Sequence, residues 1–173
     1  MQVITIDNEK FFRFLNLFDD KNINEMLIQD IDNELKTNVC KTAPLYQTYP
    51  NVFDRYKHLK HWNYVYDLIK SKLKKIVKKD FVLRQSWANL SKENNNYGWH
   101  DHTKYKNIVT CVYYLKSPYP EYGLRLENNM IIEAIENSLV CFKGRIKHTI
   151  CNIPKHVFKE KYRYSLVFDF EII

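Results

Sequence analysis

The stretch that decides the fold runs from Asn94 to Leu115 and reads NNNYGWHDHTKYKNIVTCVYYL. It combines a polar turn, two histidines separated by one residue, and an apolar run that is typical of a buried strand. In an extended strand successive side chains point to opposite faces, so His100 and His102 share one face and Asp101 takes the other. Two imidazoles about 6–7 Å apart along a strand can bind one transition-metal ion once a third ligand joins them.

Short β-rich segments continue on both sides of this stretch, from residue 81 to the C-terminus. They are rich in β-branched and aromatic residues and are separated by turn residues, as expected for strands. The predicted strands are Phe81–Leu90, Tyr97–His102, Ile108–Leu115, Leu124–Glu127, Ser138–Phe142, His148–Cys151 and Tyr162–Ile172.

In the first 80 residues, the apolar residues recur at a different spacing. After a short predicted strand at residues 3–7, apolar residues recur every three or four positions and predict helices over about 22–37 and 53–78, with Asn22 and Glu25 as a capping pair at the first. Two helices followed by seven or eight strands predict an α+β fold, in which the helices pack on one sheet of a sandwich or jelly roll.

Length and composition place the chain among globular proteins. Its 173 residues predict a single domain over 1–173, with residues 1–80 as a mainly helical buttress and 81–173 as the jelly-roll core that carries the site. No apolar run approaches the roughly 20 residues that span a bilayer, and the N-terminus lacks the layout of a signal peptide. We therefore expect an intracellular, cytoplasmic protein with no membrane partner.

The net charge of +7 bears only weakly on the choice of partner. Much of the excess lies in Lys70–Lys79, which is typical of the solvated face of a helix. A basic surface also suits nucleic acid, an acidic protein or an anionic small molecule. Nucleic acid therefore stays open as a partner.

A third histidine follows a strand–turn–strand pattern in SLVCFKGRIKHTI, residues 138–150. This hairpin returns His148 towards the middle of a sandwich, where it can meet His100 and His102 at the open end. Three imidazoles in one place suit Fe, Zn, Ni or Cu rather than Mg or Ca. The sequence thus supplies the third ligand that the histidine pair requires.

The last predicted strand adds an anion site. Its alternation places Arg163, Ser165 and Val167 on one face and the apolar and aromatic residues on the other. A guanidinium beside a hydroxyl is suited to a carboxylate, and an inward-facing arginine is costly to bury unless an anion accompanies it. The strand therefore predicts an anionic ligand next to the metal.

A series of short motifs follows one order through residues 85–170. In that order the chain resembles the Fe(II)- and 2-oxoglutarate-dependent oxygenases, and within them the small prolyl-hydroxylase-like branch that has bacterial and viral members. The motifs are Trp87-Ala88-Asn89, His100-Asp101-His102, Tyr113-Tyr114-Leu115, Gly123, Phe142 through His148, and Arg163-Tyr164-Ser165.

The resemblance implies a double-stranded β-helix that binds Fe(II) and uses 2-oxoglutarate and O2. The implied reaction converts 2-oxoglutarate to succinate and hydroxylates a protein side chain, a nucleobase or a small molecule. His100 and His148 would bind the metal, and Arg163, assisted by Ser165, would bind the distal carboxylate of 2-oxoglutarate. Further contacts to this cosubstrate are implied for Asn89 and for Tyr113 or Tyr114.

The chain departs from the pattern of this family at the third ligand. Where the family has Asp or Glu two residues after the first histidine, this sequence has His102. We favour a three-histidine site; the alternatives are a bulge that turns Asp101 inward, or His156 as the third ligand.

Two other functions compete with the oxygenase interpretation. One is a cupin-like metal-binding or structural protein without oxygenase activity, and the other is a three-histidine metalloenzyme that does not use 2-oxoglutarate. Arg163 and Ser165 distinguish them from an oxygenase, because a site without this cosubstrate has no need of an inward arginine.

Overall fold

Helices and strands both contribute to the described part of the chain, which comprises residues 1–40, 46–93, 97–159 and 161–173 of a computed structural model. The helices are α1 (Lys21–Thr37), α2 (Val52–Tyr56) and α3 (Lys60–Ile76). The strands are β1 (Gln2–Ile6), β2 (Glu9–Phe14), β3 (Tyr46–Gln47), β4 (Phe81–Ser91), β5 (Ile108–Lys116), β6 (Leu124–Leu126), β7 (Ile131–Ile132), β8 (Ser138–Lys143), β9 (His148–Ile150) and β10 (Arg163–Ile172).

Two sheets of unequal size face each other. The larger has the order β1-β2-β8-β5-β10-β4-β3 and the smaller has the order β7-β6-β9. Neighbouring strands in both sheets pair antiparallel. The predicted α+β jelly roll is confirmed, and its large sheet draws β1, β2 and β3 from before residue 80.

The large sheet separates two apolar clusters. On one face, side chains of α1 and α3 such as Leu27, Ile31 and Ile69 pack against Leu166 and Phe168 of β10. The opposite face packs against the small sheet through a second cluster, which includes Val112, Val140, Val167, Leu124 and Ile132. The site described below lies on this second face, between the sheets.

The helices differ from their predictions in detail. Asp20, not Asn22, caps α1, and its carboxylate accepts a 2.9 Å hydrogen bond from the Asn22 N–H, so the predicted capping pair is wrong. The predicted helix over 53–78 is divided into α2 and α3 because Leu59 has an extended backbone, with φ −87° and ψ 132°. Among the described residues, none of the helices is long and apolar enough to cross a membrane.

The predicted strand Tyr97–His102 is the main error in the β half. Apart from one bridge between His100 and His148, this segment is irregular. Asn94–Asn96, predicted as a polar turn, lies outside the described residues. The relation between His100 and His102 therefore comes from tertiary contacts and not from strand alternation.

Candidate metal centre and anion site

Three histidine side chains meet between the two sheets. One ring nitrogen from each of His100, His102 and His148 lies within 4.8 Å of the other two. The ring centroids are 4.4 Å apart for His100 and His148, 5.2 Å for His102 and His148, and 5.4 Å for His100 and His102. The structure thus brings together the three residues that the sequence predicts as metal ligands.

Backbone hydrogen bonds position these histidines. The His100 N–H donates to the His148 carbonyl at 3.0 Å, and the His148 N–H donates back to the His100 carbonyl at 2.9 Å. The His102 N–H donates to the Gly144 carbonyl at 2.7 Å. A Cβ atom on Gly144 would lie 2.7 Å from Ile108 Cγ2, so only glycine allows the β8–β9 turn to pack this closely.

Each ring uses its Nδ1 atom for a hydrogen bond to an oxygen. The acceptors are the Gly98 carbonyl for His100 at 3.0 Å, the Ile146 carbonyl for His148 at 2.8 Å, and a carboxylate for His102. A carbonyl oxygen can only accept, so Nδ1 carries the hydrogen in His100 and His148 and Nε2 keeps its lone pair. This is the form of imidazole that binds a metal.

Burial favours the neutral form of two of the rings. Burial, together with the nearby His100 ring, lowers the pKa of His148 to about 3. Burial also lowers the pKa of His100 below its ordinary value. Because a metal binds only the neutral ring, neither histidine has to lose a proton at neutral pH before it can act as a ligand.

The two alternative third ligands lie outside this cluster. The Asp101 side chain is exposed and accepts hydrogen bonds from Thr103, at 3.1 Å from the N–H and 2.6 Å from Oγ1. These bonds lower the pKa of Asp101. His156 is exposed and is not part of the histidine group. The geometry therefore favours His102 over both.

A buried arginine closes the other end of the same cavity. Arg163 is 2% exposed and donates to the Tyr122 carbonyl and, at 3.1 Å, to Ser91 Oγ. Among the described residues, no carboxylate forms an ion pair with it. Burial lowers its pKa, as expected for a cation removed from water. A guanidinium has five N–H donors, so it retains donors for an anion.

A row of polar side chains lies between Arg163 and the histidines. Ser165 on β10 is in register with Asn89 on β4 and with Tyr114 on β5, so all three face the cavity. Asn89 Oδ1 and the Tyr114 hydroxyl are buried and have no hydrogen-bond partner among the described residues. Burial raises the pKa of Tyr114 to about 12, so its hydroxyl is a protonated donor. A polar ligand would satisfy both groups.

Comparison with solved structures identifies the architecture. HygX from Streptomyces hygroscopicus, with nickel and 2-oxoglutarate bound, has a TM-score of 0.72 at 11% identity, over 96% of this chain and 84% of that one. A viral collagen prolyl hydroxylase from Paramecium Bursaria Chlorella virus-1, in complex with 2-oxoglutarate, has a TM-score of 0.64 at 14% identity, over 94% of this chain and 96% of that one.

A Pseudomonas putida prolyl-4-hydroxylase has a TM-score of 0.60 at 16% identity, over 95% of this chain and 94% of that one. The chain has the fold of the 2-oxoglutarate-dependent oxygenases. In sequence, no family model and no curated protein matches it. The predicted resemblance is therefore confirmed at the level of the fold, across nearly the whole chain.

Within this oxygenase fold, one of the predicted cosubstrate contacts is wrong. Tyr113 lies on the opposite face of β5 from Tyr114, because neighbouring residues of a strand alternate. Its ring packs in the helix-side cluster, and its hydroxyl donates to Asn24 Oδ1 on α1 at 2.5 Å. Tyr113 therefore stabilises the contact between the sheet and the helices and does not reach the cavity.

Asp169 is a further site residue, and it was not predicted from the sequence. Its carboxylate accepts the hydrogen bond of His102 Nδ1, at 3.0 Å to Oδ1 and 2.9 Å to Oδ2. A signal was present in the sequence, since Asp169 continues the alternation of Arg163, Ser165 and Val167 along β10. Extending that pattern by one step would have placed a carboxylate on the cavity face.

Proposed function

We propose that the protein is an Fe(II)- and 2-oxoglutarate-dependent dioxygenase, most simply a hydroxylase. The reaction would consume 2-oxoglutarate, O2 and a substrate C–H bond, and yield succinate, CO2 and a hydroxylated product. One observation carries the proposal: a single cavity holds three clustered imidazoles and a buried arginine that has no carboxylate partner among the described residues.

The donor set fits the metal. His100, His102 and His148 would hold Fe(II), for which imidazole is a suitable ligand. His102 Nε2 is buried and has no hydrogen-bond partner among the described residues, and a metal would satisfy it. When bound there, Fe(II) supplies the redox chemistry that activates O2. The three imidazoles that would hold it come together between the two sheets.

The polar end of the cavity fits the cosubstrate. Arg163 would bind the distal carboxylate of 2-oxoglutarate, and Ser165 would donate a hydrogen bond to it. Tyr114 and Asn89 would contact the same molecule, since both carry buried polar atoms without partners. Together these groups would orient the dianion with its other end towards the histidines.

A second function is favoured by the ligand set itself. Three histidines without a carboxylate also suit a metalloenzyme that does not use 2-oxoglutarate. The two functions differ at Arg163, whose buried charge serves a purpose only when an anion binds. A cupin-like protein that binds a metal without oxidising a substrate also has no need of an anion at Arg163, so the same residue distinguishes it from the oxygenase.

The test is binding of 2-oxoglutarate to the Fe(II)-loaded protein without oxygen. We expect a visible charge-transfer band, and we expect Arg163→Ala to weaken 2-oxoglutarate binding by about 2–5 kcal/mol, or about 30-fold or more. Arg84→Ala is the matched control, because Arg84 has its own carboxylate partner, Glu171, with Nε at 2.7 Å.

Two results would decide against the oxygenase. If the wild-type protein binds Fe(II) but gives no band and no heat of 2-oxoglutarate binding, the three-histidine metalloenzyme is the better interpretation. If Arg163→Ala and Arg84→Ala bind 2-oxoglutarate equally well, Arg163 is not the anion site. Succinate formation under air, measured with and without candidate substrates, then tests turnover.

A further inference from the structure

Asp169 lies directly behind one of the three candidate metal ligands. Both of its oxygens are within 3.0 Å of His102 Nδ1, and each of the two side chains is only 6% exposed. A carboxylate can only accept, so Nδ1 carries the hydrogen and the lone pair of the ring is at Nε2. That atom is buried and has no hydrogen-bond partner among the described residues.

The strand holds this carboxylate in place. Asp169 is in register with Gln85 on β4 and Thr110 on β5, the two strands that flank β10 in the large sheet. Thr110 Oγ1 donates to Asp169 Oδ1 at 2.8 Å. The pairing of β10 with β4 shifts register between Asp169 and Phe170, and such irregularities re-aim side chains.

The ring of His102 is fixed on its flat face as well. The Trp87 ring stacks on it with centroids 5.4 Å apart and planes 21° from parallel. With Nδ1 bound to Asp169 and one face covered by Trp87, the ring can present only Nε2 to His100 and His148. If the histidine–aspartate pair only stabilised the fold, His102 Nε2 would remain a buried polar atom without a partner, which is destabilising.

Charge gives the pair a second role. Three neutral imidazoles leave the full positive charge on a bound metal, and the clustered group contains no carboxylate among the described residues. Asp101 is exposed and bonded to Thr103, so it does not supply the missing charge. Asp169 lies one imidazole ring away from the place where the metal would bind.

We propose that Asp169 is the positioning residue of the metal centre: it orients His102 through Nδ1, and the His102–Asp169 pair takes the place of a metal-bound carboxylate. The inference rests on the proposed metal site and requires no particular substrate. Carboxylates that orient metal-bound histidines in this way affect metal affinity by about 10–100-fold.

The first experiment measures Co(II) affinity from the visible absorption of the bound ion, without cosubstrate. Asp169→Asn keeps the size of the side chain but removes its charge, and its amide can also donate to Nδ1 and displace the ring hydrogen to Nε2. We expect affinity to fall about 10–100-fold. Asp30→Asn is the matched control, since Asp30 accepts a hydrogen bond from His61 in the helical layer, and it should leave affinity unchanged.

A double-mutant cycle separates positioning from simple damage to the fold. In a His102→Asp background, Asp169→Asn should no longer weaken Co(II) binding and should instead strengthen it, because two buried carboxylates would otherwise repel each other. A merely structural Asp169 would give the same loss in both backgrounds. That result would overturn the inference.

A third variant covers the case in which Asp169→Asn does not fold. Thr110→Val removes only the hydrogen bond to Asp169 Oδ1 and should lower Co(II) affinity a few-fold. Affinities of Asp169→Asn, or in its place Thr110→Val, that equal the wild-type value would refute the role of Asp169. This failure differs from that of the proposed function, in which the wild-type protein binds Co(II) but no 2-oxoglutarate.

Discussion

Two histidine–aspartate pairs in this protein have similar chemistry and different surroundings. In the first, His102 donates to Asp169 between the two sheets, and in the second His61 on α3 meets Asp30 on α1 with 2.6 Å between Nε2 and Oδ2. The first pair is 6% exposed at both side chains, whereas the second is 16% and 21% exposed.

The pairs differ in which ring nitrogen is engaged. His102 uses Nδ1 and leaves Nε2 among the other imidazoles, while His61 uses Nε2 itself. The second donor to each carboxylate differs as well: Thr110 Oγ1 at Asp169 and Trp62 Nε1, at 2.8 Å, at Asp30. The pair at the candidate metal site is thus distinguished from the helix–helix contact by its free ring nitrogen and not by its carboxylate.

The largest difference is expected when each histidine is removed. His102→Ala should lower Co(II) affinity by about 100-fold or more, because a ligand is lost and Asp169 is left without its partner. His61→Ala should leave the affinity unchanged. Titration of each variant with Co(II), monitored by absorption, measures both affinities. Comparable losses in the two variants would show that His102 is not specific to metal binding.

An intermediate effect on stability is expected at the helical pair. Asp30→Ala leaves the Trp62 and His61 donors without their acceptor and should lower the free energy of unfolding by about 1–3 kcal/mol. Urea unfolding measures this as a lower midpoint at constant slope. Asp54→Ala, at the exposed ion pair with Lys57, is the control and should change stability by less than about 0.5 kcal/mol. A loss of Co(II) binding in Asp30→Ala would contradict the assignment of this pair to the helices.

The smallest effect is expected from glutamine at the helical histidine. The side-chain amide of glutamine reaches about as far as Nε2, so His61→Gln should keep the donor to Asp30 and cost less than about 1 kcal/mol. At the other pair, His102→Gln should remove the ring nitrogen that lies among the other two imidazoles. The melting temperature of the first variant and the Co(II) affinity of the second measure the contrast. A large destabilisation by His61→Gln would show that the imidazole ring itself is needed between the helices.

The sequence predicted the parts of the site whose side chains follow the regular alternation of a strand. Alternation along the last strand placed Arg163 and Ser165 together, and this strand lies inside the large sheet, between β5 and β4. Tyr113 and Tyr114 were both predicted as candidate contacts, because which of the two faces inward depends on which face of β5 meets the small sheet. That choice is made by packing between distant segments and is absent from the local pattern.

Other features depended on contacts that no local pattern contains. His100 and His102 do meet, but through bonds to His148 and Gly144 and not through a strand. Asp169 is 67 residues from His102 in sequence, so its role appears only in the fold. The break at Leu59 was invisible because the apolar period continues across it from α2 into α3.

The reciprocal bonds between His100 and His148 affect how the site assembles. Ordering the backbone of a residue costs about 1–2 kcal/mol of conformational entropy. Here the backbone of these residues is ordered when the sheets form, and not when a metal binds. Two of the three rings are thus held at a fixed separation by the main chain before any ion arrives. Metal binding should therefore require little reorganisation of the main chain, in contrast to small domains that fold only when their ion binds.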